Sequence, residues 1–512
     1  MVLRSDSIGG DYRSDVSSGY GETTWYTNKQ IKCHICKHSP AKHYIFCKST
    51  TLKYFYPQYL LKMNLHFIAI GGSVMHQLAI ALSRKGHIVT GSDDEIFEPA
   101  LGNLGRAGIL PRNMGWYPEK INQNIDAVIL GMHAKEDNPE LIKARQLDLK
   151  IYSFPEYIYQ ESLAKTRVVI GGSHGKTTTT AMTMHALRKW GKPFDYMVGA
   201  RMEGFDQSVN ITDAPVIVCE GDEYPASTIE RQPKFHFLFP HIAILTGIAW
   251  DHINVFPTFE IYLEQFRIFM DRIELDGVLI YNSTDSTLRE LVDSHSFQKP
   301  VRLVAYGLPK YEIEQGVTKV EIEGHCGLLS VFGQHNLLNL QAAWLACKEL
   351  GMDAAGFVNA MANFTGAAKR LEVLAKNENA VIYRDFAHAP SKVMATIGAV
   401  KQQFPKRKLI AVLELHTYSS LNEKFMTQYH GAMDEADTAA VFYSLHALEL
   451  KRLPPLSAEM VRLGFNKPGL LVFTDREELV RWLQKQHFTD TNLLLMSSGN
   501  FDGMDLGEVV DI

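Results

Sequence analysis

The sequence predicts an α/β protein made of three successive blocks, and three observations carry that expectation. Apolar runs that end in polar or glycine-rich turns and lead into helical stretches start at Met63, at Arg167 and at Ala380. Strands alternating with helices in this way imply parallel sheets. The length, 512 residues, exceeds what one hydrophobic core usually fills, since chains beyond about 250–300 residues divide into domains. The joins fall near 165 and 372, so the blocks are 63–165, 166–372 and 373–512, preceded by an extension, 1–62.

The extension is rich in Ser, Tyr, Lys and Thr and holds three of the six cysteines. Cys33-His34-Ile35-Cys36, with Cys47 beyond it, has the Cys-x-x-Cys spacing of zinc ligands, but a second pair is missing. A disordered segment, or a start assigned too early, is the expectation here. The other cysteines, at 219, 326 and 347, are scattered as in a reduced, cytoplasmic protein. A formal net charge of −5 argues against a nucleic-acid partner held through phosphates. No run approaches the roughly 20 apolar residues of a membrane span, and no compact apolar core with a cleavage site marks a secretory signal.

In the first block, Leu65–Ile70 reads as a strand ending at Gly71-Gly72-Ser73, followed by a helix over Val74–Lys85. His87–Thr90 is a second strand, ending at Gly91-Ser92-Asp93, and Asp126–Leu130 is a third. Ala69 and Val74 occupy two glycine places of the dinucleotide fingerprint, which excludes a nicotinamide-dependent dehydrogenase.

The second block opens with Arg167–Ile170 and then Gly171-Gly172-Ser173-His174-Gly175-Lys176-Thr177-Thr178-Thr179-Thr180. A glycine-rich turn between a strand and a helix is the setting of a phosphate loop, where backbone N–H groups surround phosphate oxygens. Lys176 would add charge at the terminal phosphates and Thr177 would reach magnesium. Ile170 stands where the usual loop has its first glycine, so the loop is the shorter G-x-x-G-K-T starting at Gly172. Another strand, Pro215–Cys219, ends in Glu220-Gly221-Asp222-Glu223, carboxylates placed at a ligand crevice where they can hold magnesium. Ile242–Thr246 leads to Trp250-Asp251-His252, where His252 is positioned for a second cation or a phosphate. Further on, His335, Asn336 and Asn339 begin a helix. Asn336 is placed to pair with an adenine edge, to cap that helix, or to do both. Arg370, in Lys369-Arg370-Leu371-Glu372, sits at the join to the third block, where a guanidinium can clamp phosphate. That block begins with Ala380–Tyr383 and Asp385-Phe386-Ala387-His388-Ala389-Pro390.

In this order, G-S-H-G-K-T-T-T-T, E-G-D-E, D-H, G-x-H-N-x-x-N-x-x-A-A, K-R-L-E and D-F-A-H-x-P resemble the Mur ligase family over essentially all of residues 63–512. The resemblance implies a Rossmann-like UDP-binding domain, a central P-loop ATPase-type domain and a Rossmann-like C-terminal domain. It also implies an activity, in which ATP converts a carboxylate to an acyl phosphate that an amine then attacks. Position by position, it implies that Gly172, Ser173, His174, Gly175, Lys176, Thr177 and Thr178 bind ATP with Asn336, Arg370 and Asp385. Thr177, Glu220 and His252 would hold magnesium, and Lys176, Glu220, His252 and Arg370 would be catalytic.

Gly71, Gly72, Ser73 and Asp93 resemble the branch of the family that binds UDP-N-acetylmuramate. Several members carry a carbamylated lysine at a set distance beyond the Asp-His histidine, and the same count here reaches Phe266. This leaves two amines: L-alanine, or a recycled murein tripeptide, L-alanyl-γ-D-glutamyl-meso-diaminopimelate. Ala389 in place of a second histidine, Glu414–Leu421 and Ser497–Gly503 resemble the tripeptide-recycling branch, with His388, His416 and Ser419 as peptide contacts. The expectation is therefore the tripeptide, with L-alanine as the alternative. A reading of another class is an ATP-dependent sensor of cell-wall nucleotides. Retention of Glu220, His252, Arg370 and Asp385 beside Lys176 argues against it.

Overall fold

A computed structural model describes residues 62–512, except 200–201, 203, 228–229, 251–254, 315, 367–369 and 510–512. Before residue 62 it describes only the backbone of three strands, Thr23–Tyr26, Lys32–Lys37 and His43–Cys47, paired antiparallel in sequence order. The side chains of Cys33, Cys36 and Cys47, whose spacing resembles that of zinc ligands, lie outside the described residues. The chain divides into two compact units, 1–62 and 63–512. A protein started at Met63 is therefore expected to keep the melting temperature and the ligation rate of the full chain, checked by thermal scanning and ADP release.

In the second unit the first block is a four-stranded parallel sheet. It comprises β1 (Asn64–Ile68), α1 (Met75–Arg84), β2 (Ile88–Ser92), β3 (Ala127–Leu130) and β4 (Ile151–Ser153), in the order β2-β1-β3-β4. The chain switches direction between β1 and β3, which opens a crevice at the carboxyl ends of the strands. Gly71–Ser73 and Asp93 follow β1 and β2 at that end. Leu78 and Leu82 of α1 share one buried apolar cluster with Leu65 and Phe67 of β1, and with Ile217 and Leu245 of the next block.

The central block contains β5 (Thr166–Gly171), α2 (Lys176–Trp190), β6 (Asp195–Met197), β7 (Val209–Asn210), β8 (Val216–Glu220), β9 (Ile242–Leu245), β10 (Gly277–Asn282) and β11 (Val301–Tyr306). Its sheet order is β7-β6-β8-β5-β9-β10-β11, parallel except for β7. The turn from β5 into α2 is thus flanked by the ends of β8 and β9. An antiparallel meander, β12 (Lys310–Glu314), β13 (Val317–Ile322) and β14 (His325–Leu329), precedes α3 (Gln334–Glu349). Leu337, Leu340, Trp344 and Cys347 give α3 its buried stripe at helical spacing.

The last block holds β15 (Glu372–Lys376), β16 (Val381–Asp385), α4 (Pro390–Gln403), β17 (Lys408–Glu414), β18 (Thr438–Phe442), β19 (Leu471–Phe473) and β20 (Thr491–Met496). The order is β15-β16-β20-β17-β18-β19, with only β15 antiparallel. Glu372 already belongs to this sheet, so the join lies just before the expected residue 372. Leu371 takes a φ of 45° there and Gly366 a φ of 109°. Among the described residues, no helix is long and apolar enough to cross a membrane.

Candidate active site

The turn after β5 is built by two glycines with left-handed φ. Gly172, at φ 123°, lies so close to Thr246 that an added Cβ would stand 2.3 Å from the hydroxyl oxygen. Gly175, at φ 80°, is the N-cap of α2, and a Cβ there would stand 2.2 Å from Asn339 Oδ1. Only glycine combines these dihedrals with such close neighbours. Thr246 closes the loop from β9, its hydroxyl donating to the carbonyls of Gly171 and His174. Ser173 is 4% exposed, its Oγ 2.7 Å from Tyr262 Oη, and it accepts from the Ala249 N–H. Its hydroxyl is thereby committed to holding the loop.

Lys176 donates to the Gly172 carbonyl at 2.6 Å and to Glu223 Oε2 at 2.5 Å. Burial works against its charge, but Glu223, Asp222 and Glu220 more than offset this and hold its pKa above the usual lysine value. Thr177 Oγ1 donates to Glu220 Oε1 at 2.6 Å, and the other Glu220 oxygen accepts from the Gly199 N–H. A hydroxyl and a carboxylate oxygen in contact beside a phosphate loop are hard donors that suit magnesium, which keeps its remaining positions for phosphate oxygens and water. Among the described residues, no group of three His, Cys, Asp or Glu side chains forms a complete metal site. His252, the third expected ligand, lies outside the described residues.

Ser173 to Thr178, Asn336, Arg370 and Asp385 all line one cavity of about 330 Å³ between the central and last blocks. Gly172 and Glu220 stand behind that lining. Arg370 lies over the Phe386 ring, 4.7 Å from its centroid. Burial lowers its pKa, opposed by Asp385 and Glu220. Asp385 accepts from the N–H groups of Leu371 and Ala387, both at 2.7 Å, and so ties the join to the last sheet. Burial raises its pKa, opposed by Arg370 and those N–H groups. Asn336 does not cap its helix. Gly333 is the N-cap, and the Asn336 amide donates to the Phe332 carbonyl, with its residue only 5% exposed. Burial and then Arg370 bring the neighbouring His335 down to about 4, so its imidazole is neutral.

The cavity also contains Asn282, Asp285, Asn339 and Lys392, which sequence reasoning did not place in the site. Asn339 stood in the quoted run, and Glu223 in the acidic cluster, but only the fold shows that one packs against the phosphate loop and the other pairs with Lys176. Nothing in the sequence singles out Lys392. It enters the cavity because α4 meets the loop end-on, where His174 Nε2 lies 2.9 Å from Ser391 Oγ. Lys392→Ala is expected to weaken ADP binding by about ten- to a hundredfold, as loss of one charged hydrogen bond of about 1.5–3 kcal/mol implies. Calorimetric titration with ADP checks this.

The remaining expected residues lie at the carboxyl edges of the outer sheets. Gly71 donates its N–H to Asp93 Oδ2 at 2.7 Å. Asp93 is 4% exposed, and burial raises it to about 6. Ser73 is exposed. In the last block, His388 Nδ1 lies 2.8 Å from the Phe386 carbonyl. His416 stands 3.7 Å from buried Glu414, and half-buried Ser419 accepts from the Asn422 N–H through its carbonyl. Glu414 also accepts from the Ser497 hydroxyl and the Phe501 N–H, which joins the ends of β17 and β20.

Three family models match in sequence order: the Mur ligase family catalytic domain over residues 64–165, the Mur ligase middle domain over 170–347, and the Mur ligase glutamate ligase domain over 369–499. The UDP-N-acetylmuramate–L-alanine ligase of a Sulfurihydrogenibium species is 30% identical over 391 residues, covering 74% of this chain and 82% of that protein. The chain belongs to the Mur ligase family. It is an ATP-dependent, ADP-forming ligase of an acid and an amine. Two solved structures share the fold of this ligase. One is a murein peptide ligase from Psychrobacter arcticus, with a TM-score of 0.57 and 21% identity, covering 88% of this chain and 99% of that one. The other is a UDP-N-acetylmuramate–alanine ligase from Thermotoga maritima, with a TM-score of 0.60 and 22% identity, covering 86% and 97%.

Proposed function

We propose that this ligase joins the carboxylate of UDP-N-acetylmuramate to the amino group of an L-alanyl unit at the expense of ATP. The observation that carries this reading is the single cavity that gathers Lys176, Thr177, Arg370 and Asp385 from two blocks, with Glu220 behind Thr177. A carboxylate oxygen attacks the terminal phosphorus of ATP, the bond to ADP breaks, and an acyl phosphate forms. The amine then attacks the acyl carbon, phosphate leaves with the bonding electrons, and the amine proton passes to solvent or product phosphate.

Lys176 and the N-terminus of α2 stabilise charge on the transferring phosphoryl group, and Arg370 meets it from the seam. Thr177 and Glu220 are the residues that would hold magnesium, which neutralises phosphate charge when bound; His252 belongs to the same proposed set. Asp385 keeps Leu371 at the joint in place, so the last block closes on the cavity in one orientation and excludes water from the labile acyl phosphate.

Both candidate amines begin with L-alanine. The name of the Sulfurihydrogenibium relative supports the free amino acid. One observation favours the tripeptide as a second reading. Segments after β16, β20 and β17, which are adjacent in the sheet, bring His388, Ser497–Gly499 and His416–Ser419 to one edge. Ala389, at the N-cap of α4, adds no ring there. Such an edge offers a longer peptide more contacts than free alanine uses.

ADP release measured with UDP-N-acetylmuramate and each amine in turn tests the whole proposal. Release that needs the nucleotide sugar and an amine together is the expected result. A higher kcat/KM for L-alanine selects the first reading, and a higher value for the tripeptide selects the second. ATP and UDP-N-acetylmuramate binding without turnover on either amine overturns the proposed pair of amine substrates.

A further inference from the structure

The loop after β1 is held from both sides, and one of the holding residues belongs to no expected site. The N–H groups of Ala69 and Ile70 both donate to the Ser92 carbonyl, and the Gly71 N–H donates to Asp93. The Gly72 carbonyl accepts from the backbone N–H of His76 at 3.0 Å, and His76 Nδ1 lies 2.8 Å from it. A carbonyl oxygen only accepts, so Nδ1 carries the proton in this contact. Nε2 is then the acceptor, and two amides face it, Gln77 Nε2 at 2.8 Å and Asn103 Nδ2 at 3.2 Å. The imidazole is 3% exposed and stands on the first turn of α1.

The consequence follows from peptide geometry. In a planar trans peptide the C=O of Gly72 and the N–H of Ser73 point in opposite directions. With the Gly72 carbonyl turned back onto His76, the Ser73 N–H is aimed away from the helix, toward the mouth of the crevice beyond β1. Gly72 and Ser73 are among the residues expected to bind the UDP sugar, and the Gly71 N–H is already committed to Asp93, which leaves the Ser73 N–H as the donor for an anion. A glycine at position 72 would otherwise flip this peptide at little cost.

We infer that His76 is a positioning residue for the diphosphate of the nucleotide sugar: it locks the Gly72–Ser73 peptide with its N–H outward, so that the loop is preorganised for an anion. This rests on the proposed UDP-sugar reading of the first block. The contact is made by Nδ1, and Gln77 and Asn103 set the tautomer that makes it possible.

Two replacements separate this role from simple packing. The Asn side chain places an amide nitrogen near the position of Nδ1, whereas Gln extends its amide to that of Nε2. His76→Asn is therefore expected to keep affinity for UDP-N-acetylmuramate within a few-fold of the parent, and His76→Gln to lose about tenfold. Both should leave kcat and ADP affinity unchanged, since the ATP cavity lies in other blocks. Calorimetric titration of each full-length protein with UDP-N-acetylmuramate, and separately with ADP, reads the affinities, and steady-state ADP release reads kcat. Equal affinity of the two variants for the nucleotide sugar overturns the inference, as does a parallel loss of ADP binding in His76→Gln. If the parent protein binds ADP but no UDP-N-acetylmuramate, the reading of the first block falls, and this inference with it.

Discussion

Lys176→Ala is expected to lower kcat/KM for ATP by about 10²–10³ or more, the range typical of removing one preorganised charge from a transferring group. The structure adds a consequence that the loop sequence hides. Lys176 is paired with Glu223, whose side chain is 1% exposed. Removing the lysine takes one cationic partner from a buried carboxylate, and breaking a buried pair costs about 3–5 kcal/mol. The single substitution should therefore also lower the melting temperature, although a loop lysine would ordinarily be expected to carry little packing. Lys176→Met combined with Glu223→Gln removes both charges. It is expected to recover most of the stability while staying as inactive as the single variant. Steady-state kinetics and thermal scanning on the three proteins separate the two effects. A double variant that regains activity would show that Lys176 serves only to neutralise Glu223.

Gly175→Ala is expected to cost about a hundredfold in kcat/KM for ATP, the scale of effect that misplacing reacting groups by about an ångström produces. The methyl group would have to occupy space 2.2 Å from Asn339 Oδ1 on a backbone at φ 80°. Asn339 is 6% exposed and lies within α3, so it has little room to retreat. The loop must then shift, and with it the N-terminus of α2 that is proposed to face the phosphates. Because α2 and its packing on α3 lie below the loop, binding should suffer far more than folding. Titration with ADP and a melting curve check the contrast, and a variant with normal ADP affinity would show that the loop does not touch the nucleotide.

Gly175 and Lys176 stand out in the sequence because a phosphate loop needs a short, local pattern: a strand, a tight turn and a helix start. Thr177 and Glu220 are separated by much more chain. Their pairing follows once β5 and β8 are neighbours, since parallel strands bring their carboxyl ends to one edge. The parallel strands β1, β2, β3, β5, β8, β9 and β16 were read within a residue or two, because apolar runs ending in turn residues are local signals, whereas β4, β6, β10, β11 and β17–β20 were not read. The antiparallel meander β12–β14 and the antiparallel edge strand β15 were not read, as their half-exposed residues alternate weakly.

By itself the sequence determined the three-block α/β organisation, the phosphate loop and the family, all of which rest on short patterns read along the chain. The tertiary structure alone decided that Glu223, rather than solvent, meets Lys176, that Asn339 buttresses Gly175, and that Lys392 of α4 reaches the nucleotide cavity. It also decided that His76 holds Gly72 and that Asp385 ties down Leu371. Each of these depends on which elements lie side by side and on how a joint sets two blocks against each other. A side chain's partner across such a seam is chosen by packing that no local pattern encodes.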